Sequence, residues 1–142
     1  MSSSASRPLT SLDQNKTLVA RWFEEVWNRG HRETIFELFP EGAVIHDGRQ
    51  EIRGPKEFLR FYEALQAQFS SFKITPLLSL AEGDRACVHW SCSMTHKATG
   101  KHLELTGTSI VHIQNGKFIE AWQNWDAADL VTQLTGQPVL SL

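Results

Sequence analysis

The sequence predicts an α+β domain in which helices pack on one face of a curved, antiparallel sheet. Three observations predict it. Apolar residues in the first third repeat at helical period, and those after Ser70 alternate at the period of two that strands require. Asn115-Gly116, between two such alternating runs, is the strongest short hairpin signal in the chain. Helices first and a strand meander afterwards is the pattern of α+β proteins.

The first helix opens where Ser11 and Gln14 resemble a capping box. Leu18, Val19, Trp22, Phe23, Val26 and Trp27 then form one broad apolar stripe, and Gly30 supplies the left-handed residue that closes a helix. A short second helix is expected over about residues 32–39, stopped by Pro40. Residues 43–46 read as a brief strand. Gly54-Pro55 starts a third helix, with proline where an N–H is not needed. Phe58, Phe61, Tyr62, Leu65 and Phe69 give that helix its buried face. Strands follow over residues 72–80, 85–96, 101–113 and 117–125. In the second of them Val88, Trp90, Cys92 and Met94 alternate with His89, Ser91, Ser93 and Thr95, so one face is apolar. Asp126, three residues before Asp129, reads as the N-cap of a last helix ending near Gly136. The predicted order is α-α-β-α-β-β-β-β-α.

A chain of 142 residues has enough length for one core and not two. We expect a disordered, serine-rich tail over residues 1–12 and a single domain over 13–142. Fourteen basic against sixteen acidic residues give a net charge of −2, without the basic excess of a nucleic-acid-binding protein. No apolar run approaches the roughly 18 residues that would cross a membrane. No hydrophobic leader is visible. Cys87 and Cys92 lie an odd number of residues apart in one strand, so they face opposite ways and cannot pair. Both read as reduced, buried thiols, which predicts a cytoplasmic location.

Three stretches carry a resemblance. They are residues 18–30 (LVARWFEEVWNRG), residues 54–58 (GPKEF) and residues 115–126 (NGKFIEAWQNWD), followed by QLTG at residues 133–136. In this order and spacing the chain resembles the SnoaL-like polyketide cyclase family of the nuclear transport factor 2-like superfamily, over about residues 13–136. The resemblance implies a cone, with a curved sheet wrapped as a barrel around helices and an apolar pocket inside. It also implies a homodimer paired through the outer sheet face. Relatives include cyclases, ketosteroid isomerases, epoxide hydrolases and proteins without assigned activity, so fold alone does not give the reaction.

The resemblance to cyclases and isomerases implies cofactor-free proton transfer beside a carbonyl, which needs a carboxylate or histidine of tuned pKa in an apolar pocket. The ligand expected is a small apolar molecule, carbonyl-bearing or aromatic. Trp22, Phe23, Phe58, Tyr62, Trp90 and Trp125 are the candidate walls, with plain core packing as the alternative for each. His46 and Asp47 are the candidate bases: isomerase-like members place an aspartate at Asp47, and SnoaL-like members commonly show a histidine at His46. Asp47 before Gly48 also suits a turn. Gln123 stands where cyclase-like members carry an acid/base aspartate. Its amide can orient a carbonyl but cannot exchange a proton near neutral pH. Asp126 remains nearby, in a position that fits a helix cap. Phe23 and Ser109 fall where the isomerase carries the tyrosine and aspartic acid that hold its oxyanion, and because phenylalanine donates nothing, this departure argues against a steroid isomerase built on that oxyanion hole. The histidines show no metal-ligand spacing, with His89 and His96 on opposite strand faces, and no phosphate loop is present, so no metal or other cofactor is expected. His112, expected to pair near Ile119 across the hairpin, is an outlying candidate. A non-catalytic ligand-binding or dimerisation module of the same fold is the alternative reading.

Overall fold

The computed structural model describes residues 11–139. Most of the expected tail therefore lies outside the described residues, while Ser11 and Leu12 already belong to helix α1 (Ser11–Trp22). Its apolar stripe continues into a π-helical segment, Phe23–Asn28, which the periodicity did not predict. The wider turn is closed by the Arg29 N–H donating to Glu24 O at 2.9 Å, and Gly30 follows at φ 71°. Then come α2 (Glu33–Leu38), β1 (Val44–Asp47), β2 (Gln50–Arg53) and α3 (Gly54–Gln68). The meander is β3 (Phe69–Glu82), β4 (Arg85–His96), β5 (His102–Gln114) and β6 (Lys117–Trp125), and α4 (Ala127–Thr135) completes the described fold.

The strands form one curved, six-stranded sheet in the order β2-β1-β6-β5-β4-β3, left open between its edges β2 and β3. Three features differ from expectation. Strand β2 was not foreseen, because Gln50-Glu51-Ile52-Arg53 holds one apolar residue and a single residue has no period. Phe69 begins β3 instead of ending α3, although it is buried as expected. The sheet is antiparallel except between β1 and β6, which run parallel. β1 comes from the helical half and reaches β6 only through tertiary packing.

Alternation on β4 is as the sequence predicts: Val88, Trp90, Cys92 and Met94 are buried. They face the helices together with Leu103, Leu105, Val111 and Ile113 of β5. At the narrow end, Trp22 stacks its ring 5.1 Å from Phe58 and 5.5 Å from Phe118. Such tilted and edge-on contacts suit the ring quadrupole. Cys87 and Cys92 are free, and Cys92 belongs to the inner face.

Two clamps position the open end. Asn28, last residue of the π turn, accepts from Ile74 N–H at 2.7 Å and donates to Ile74 O at 3.0 Å, fixing the helix end to β3. Asp126 caps α4 by accepting from Asp129 N–H at 2.9 Å, and Gly136 ends it at φ 74°, as read from the sequence. Gln133 of α4 then pairs with the β5 backbone, accepting from Glu104 N–H at 3.1 Å and donating to Glu104 O at 2.6 Å. Its amide acts as a short substitute strand where β6 has already ended.

Candidate functional site

Strand pleat decides which side chains meet. Along β6, Ala121, Gln123 and Trp125 pair with Val111, Ser109 and Gly107 of β5, and these line the inner face. The parallel register places Asp47 beside Gln123 and His46 beside Trp122. Successive residues of a strand point to opposite faces. The two candidate bases, adjacent in sequence, are thereby separated across the sheet.

Asp47 points inward. Trp125 Nε1–H donates to its Oδ1 at 3.0 Å, and the Gln123 side chain also bonds to the carboxylate. Burial holds the carboxyl above the usual aspartate range, while these two hydrogen bonds pull it back. Gly48 turns the chain behind it at φ 61°, so Asp47 is both the end of a hairpin strand and an inward carboxylate. His46 lies on the outer face. Its ring stacks on Trp122 at 5.6 Å, and Nε2 is 2.7 Å from a Glu120 oxygen. His112 is outside as well, its Nε2 2.6 Å from Asp84 Oδ2, a contact that holds the Asp84 carboxyl below its usual range. It pairs with Glu120 and not Ile119, because a bulge after His112 shifts the register.

Inside the cone, an open-mouthed cavity is lined by Phe23, Trp27, Phe61, Phe72, Trp90 and Trp125 among others, with Gln123 in its wall. It offers about 100 Å³ to the centre of a water molecule. Roughly 10–15 Å³ in that measure holds one water, so there is room for a ligand. A smaller inner cavity of about 40 Å³ shares Phe23, Trp27 and Gln123 as a common wall and includes Trp22, Phe58 and Ser109. The Trp90 indole packs closely against Gly107, where an added Cβ would stand 2.3 Å from its Cζ2. In that position its Nε1–H donates to Ser109 Oγ at 3.0 Å. Cys92 also lines the outer cavity, and burial pushes its thiol up to about 11, so it stays protonated.

Of the residues singled out from sequence, Phe23, Trp90, Trp125 and Gln123 border the outer cavity, and Trp22 and Phe58 the inner one. Asp47 touches two of these wall residues. Tyr62 lines neither cavity: it is fully buried, and its hydroxyl donates to Val26 O at 2.9 Å within the π turn. Sequence reasoning missed Trp27, Phe61 and Phe72 as walls, although Phe61 was read as part of the buried face of α3. Trp27 ended the helical stripe and could have been found there, whereas nothing local marks Phe72. Among the described residues, no group of three or more His, Cys, Asp or Glu side chains could hold a metal ion.

A curved open sheet on a helix layer, enclosing an apolar cavity, is the nuclear transport factor 2-like cone fold. Within it, the chain belongs to the SnoaL-like domain family, whose model matches residues 19–134. A candidate SnoaL-like polyketide cyclase from Jannaschia sp. CCS1 shares the fold with a TM-score of 0.82, over 94% of this chain and 100% of its own, at 19% identity. IdmH, a candidate polyketide cyclase from Streptomyces antibioticus, matches at TM-score 0.77 and 25% identity, over 85% of this chain and 98% of its own. AclR, a candidate hydroxylase from Streptomyces galilaeus, matches at TM-score 0.80 and 19% identity, over 89% and 99%. No protein of curated function matches in sequence. Different reactions are thus named on one fold, and the site must decide between them.

Proposed function

We propose that this chain is a cofactor-free proton-transfer enzyme, a cyclase or isomerase acting on a carbonyl-bearing aromatic or polyketide-like molecule. One observation carries the proposal: an inward carboxylate, Asp47, is raised in pKa by burial and bonded to two residues of an otherwise apolar, ring-lined cavity. A general base works best when its pKa lies near the working pH, and desolvation moves Asp47 in that direction. The likeness to IdmH supports the substrate class.

In this reading Asp47 takes a proton from the carbon beside a carbonyl, and the C–H electrons pass into the carbonyl as an enolate. In a cyclase the enolate carbon bonds to a second carbonyl of the same molecule, and the resulting alkoxide takes the proton back from Asp47. In an isomerase the proton returns to another carbon of the conjugated system. Gln123 orients the substrate oxygen and holds Asp47, and the aromatic walls exclude water. His46, on the far face, takes no part.

The comparison of Asp47→Asn with His46→Ala tests this. Turnover of a poly-β-carbonyl substrate should fall by about 10²–10⁴-fold in the first, the usual contribution of a positioned base, and stay near the parent value in the second. Full activity in Asp47→Asn refutes the assignment. A parent protein that binds such molecules without turning them over is instead a binding module.

We also propose that a second copy covers the outer sheet face. There Leu80, Cys87, Ile110 and Trp122 pair in one row across four strands. Leu80 and Ile110 are 58% and 40% exposed, and an apolar band of this kind is a contact surface.

A further inference from the structure

The inner cavity is a void where close packing predicts none. Protein interiors leave few holes larger than a water molecule. This one offers about 40 Å³ to the centre of a water molecule, room for about three. Its origin lies in one small side chain. Ile45, Ala121 and Val111 pair in a row across β1, β6 and β5, and all three line the cavity. Ile45 and Val111 are buried, and the single methyl of Ala121 between them leaves space open. The rings of Trp22, Phe39, Phe58 and Phe118 complete the walls.

The void is not an isolated packing defect. Phe23, Trp27 and Gln123 are walls of both cavities, so the inner one adjoins the outer. Ser109 and Gln123, the wall residues that carry a hydroxyl or an amide, already have partners. Trp90 Nε1–H donates to Ser109 Oγ at 3.0 Å, and Gln123 bonds to Asp47. The two are also register partners on neighbouring strands, so they stand side by side. The other walls are aliphatic and aromatic, and apolar voids of this kind stay dry and take apolar guests.

We propose that the inner cavity is a subsite for a short alkyl substituent, about three carbons long, on a ligand whose ring system occupies the outer cavity. This rests on the reading of the cone as a small-molecule site and narrows the ligand class to alkyl-substituted rings that enter alkyl end first. Ala121 sets the length admitted, by the space its small side chain leaves. Phe118, which lines the inner cavity and not the outer, limits it further.

The probes are naphthalene and its 2-alkyl derivatives from methyl to pentyl, with dissociation constants read by fluorescence titration. In the parent protein, affinity should rise about 4-fold per added carbon, the gain from burying a methylene, and stop rising near propyl. Ala121→Leu fills the subsite. It should hold the total gain from lengthening below about 2-fold while naphthalene itself binds within about 3-fold of the parent. Ala121→Val, a smaller filling, should stop the rise at an intermediate length and serves if the leucine variant does not fold. Phe118→Leu enlarges the subsite and should move the stop to a longer chain. A stop at the same length in the parent and the variants overturns the subsite, as does a steady gain through pentyl, which would put the chain at the open mouth. Failure of the whole series to bind the parent protein overturns the pocket reading, and the subsite with it. The proton-transfer reading fails separately, on the turnover of Asp47→Asn.

Discussion

Asp47 and His46 are neighbours in the chain and lie on opposite faces of the sheet. The difference is worked out in their partners: Asp47 accepts from Trp125 and Gln123 inside the cone, while His46 stacks on Trp122 beside Glu120 outside it. Burial raises the folded-state pKa of Asp47 above its unfolded value. Stability from that shift is full in acid and is lost as pH rises through the raised pKa. Asp47→Asn, neutral at every pH, should therefore melt no lower than the parent at pH 7, and any advantage should vanish in acid. Thermal melts at both pH values check this, and a variant clearly less stable at pH 7 contradicts it. If Asp47 is the base of the proposed reaction, the same shift should raise the acid limb of the pH–rate profile in the parent relative to an unburied aspartate, because the base must be ionised to act.

At the scale of elements, the π turn at Phe23–Asn28 organises the open end of the cone. It widens the helix so that Trp27 joins the cavity wall, exposes the Val26 carbonyl to the Tyr62 hydroxyl, and delivers Asn28 to the β3 backbone. π bulges recur at functional sites, and this one abuts the cavity mouth. Asn28→Ala would leave the Ile74 N–H and C=O without these partners. We expect a loss of about 1–3 kcal/mol, the cost of unsatisfied and partly buried backbone groups, seen as a lower urea midpoint with an unchanged slope. A loss within error would mean that water replaces the amide. Most elements were legible in the sequence, since stripe, alternation and hairpin turn each depend on neighbours in the chain. The π turn and β2 were not. One is set by what Tyr62 and Ile74 offer across the core, and the other has a single inward residue, Ile52.

Over the whole molecule, the sheet has a face that packs on helices and a face that bears an apolar row from Leu80 to Trp122. If that row is the contact between two copies, Ile110→Arg should convert a dimer to a monomer in sedimentation velocity without loss of fold by circular dichroism. A monomeric parent protein at the same concentration would refute the pairing. What the sequence by itself determined is local: the helical stripe, the inward alternation of β4, the Asn115-Gly116 hairpin and the Asp126 cap follow from periods and turn chemistry within a few residues. Its candidate walls were legible too, because large rings on an apolar face mark either a core or a cavity. Tertiary structure alone decided which of the two each ring serves, and so parted Tyr62 from Trp90 and Trp125. It also decided which of His46 and Asp47 faces inward, because that depends on the parallel register of β1 against β6, strands about 70 residues apart. A one-residue shift in such a pairing turns every side chain to the other face. Only long-range packing fixes that register.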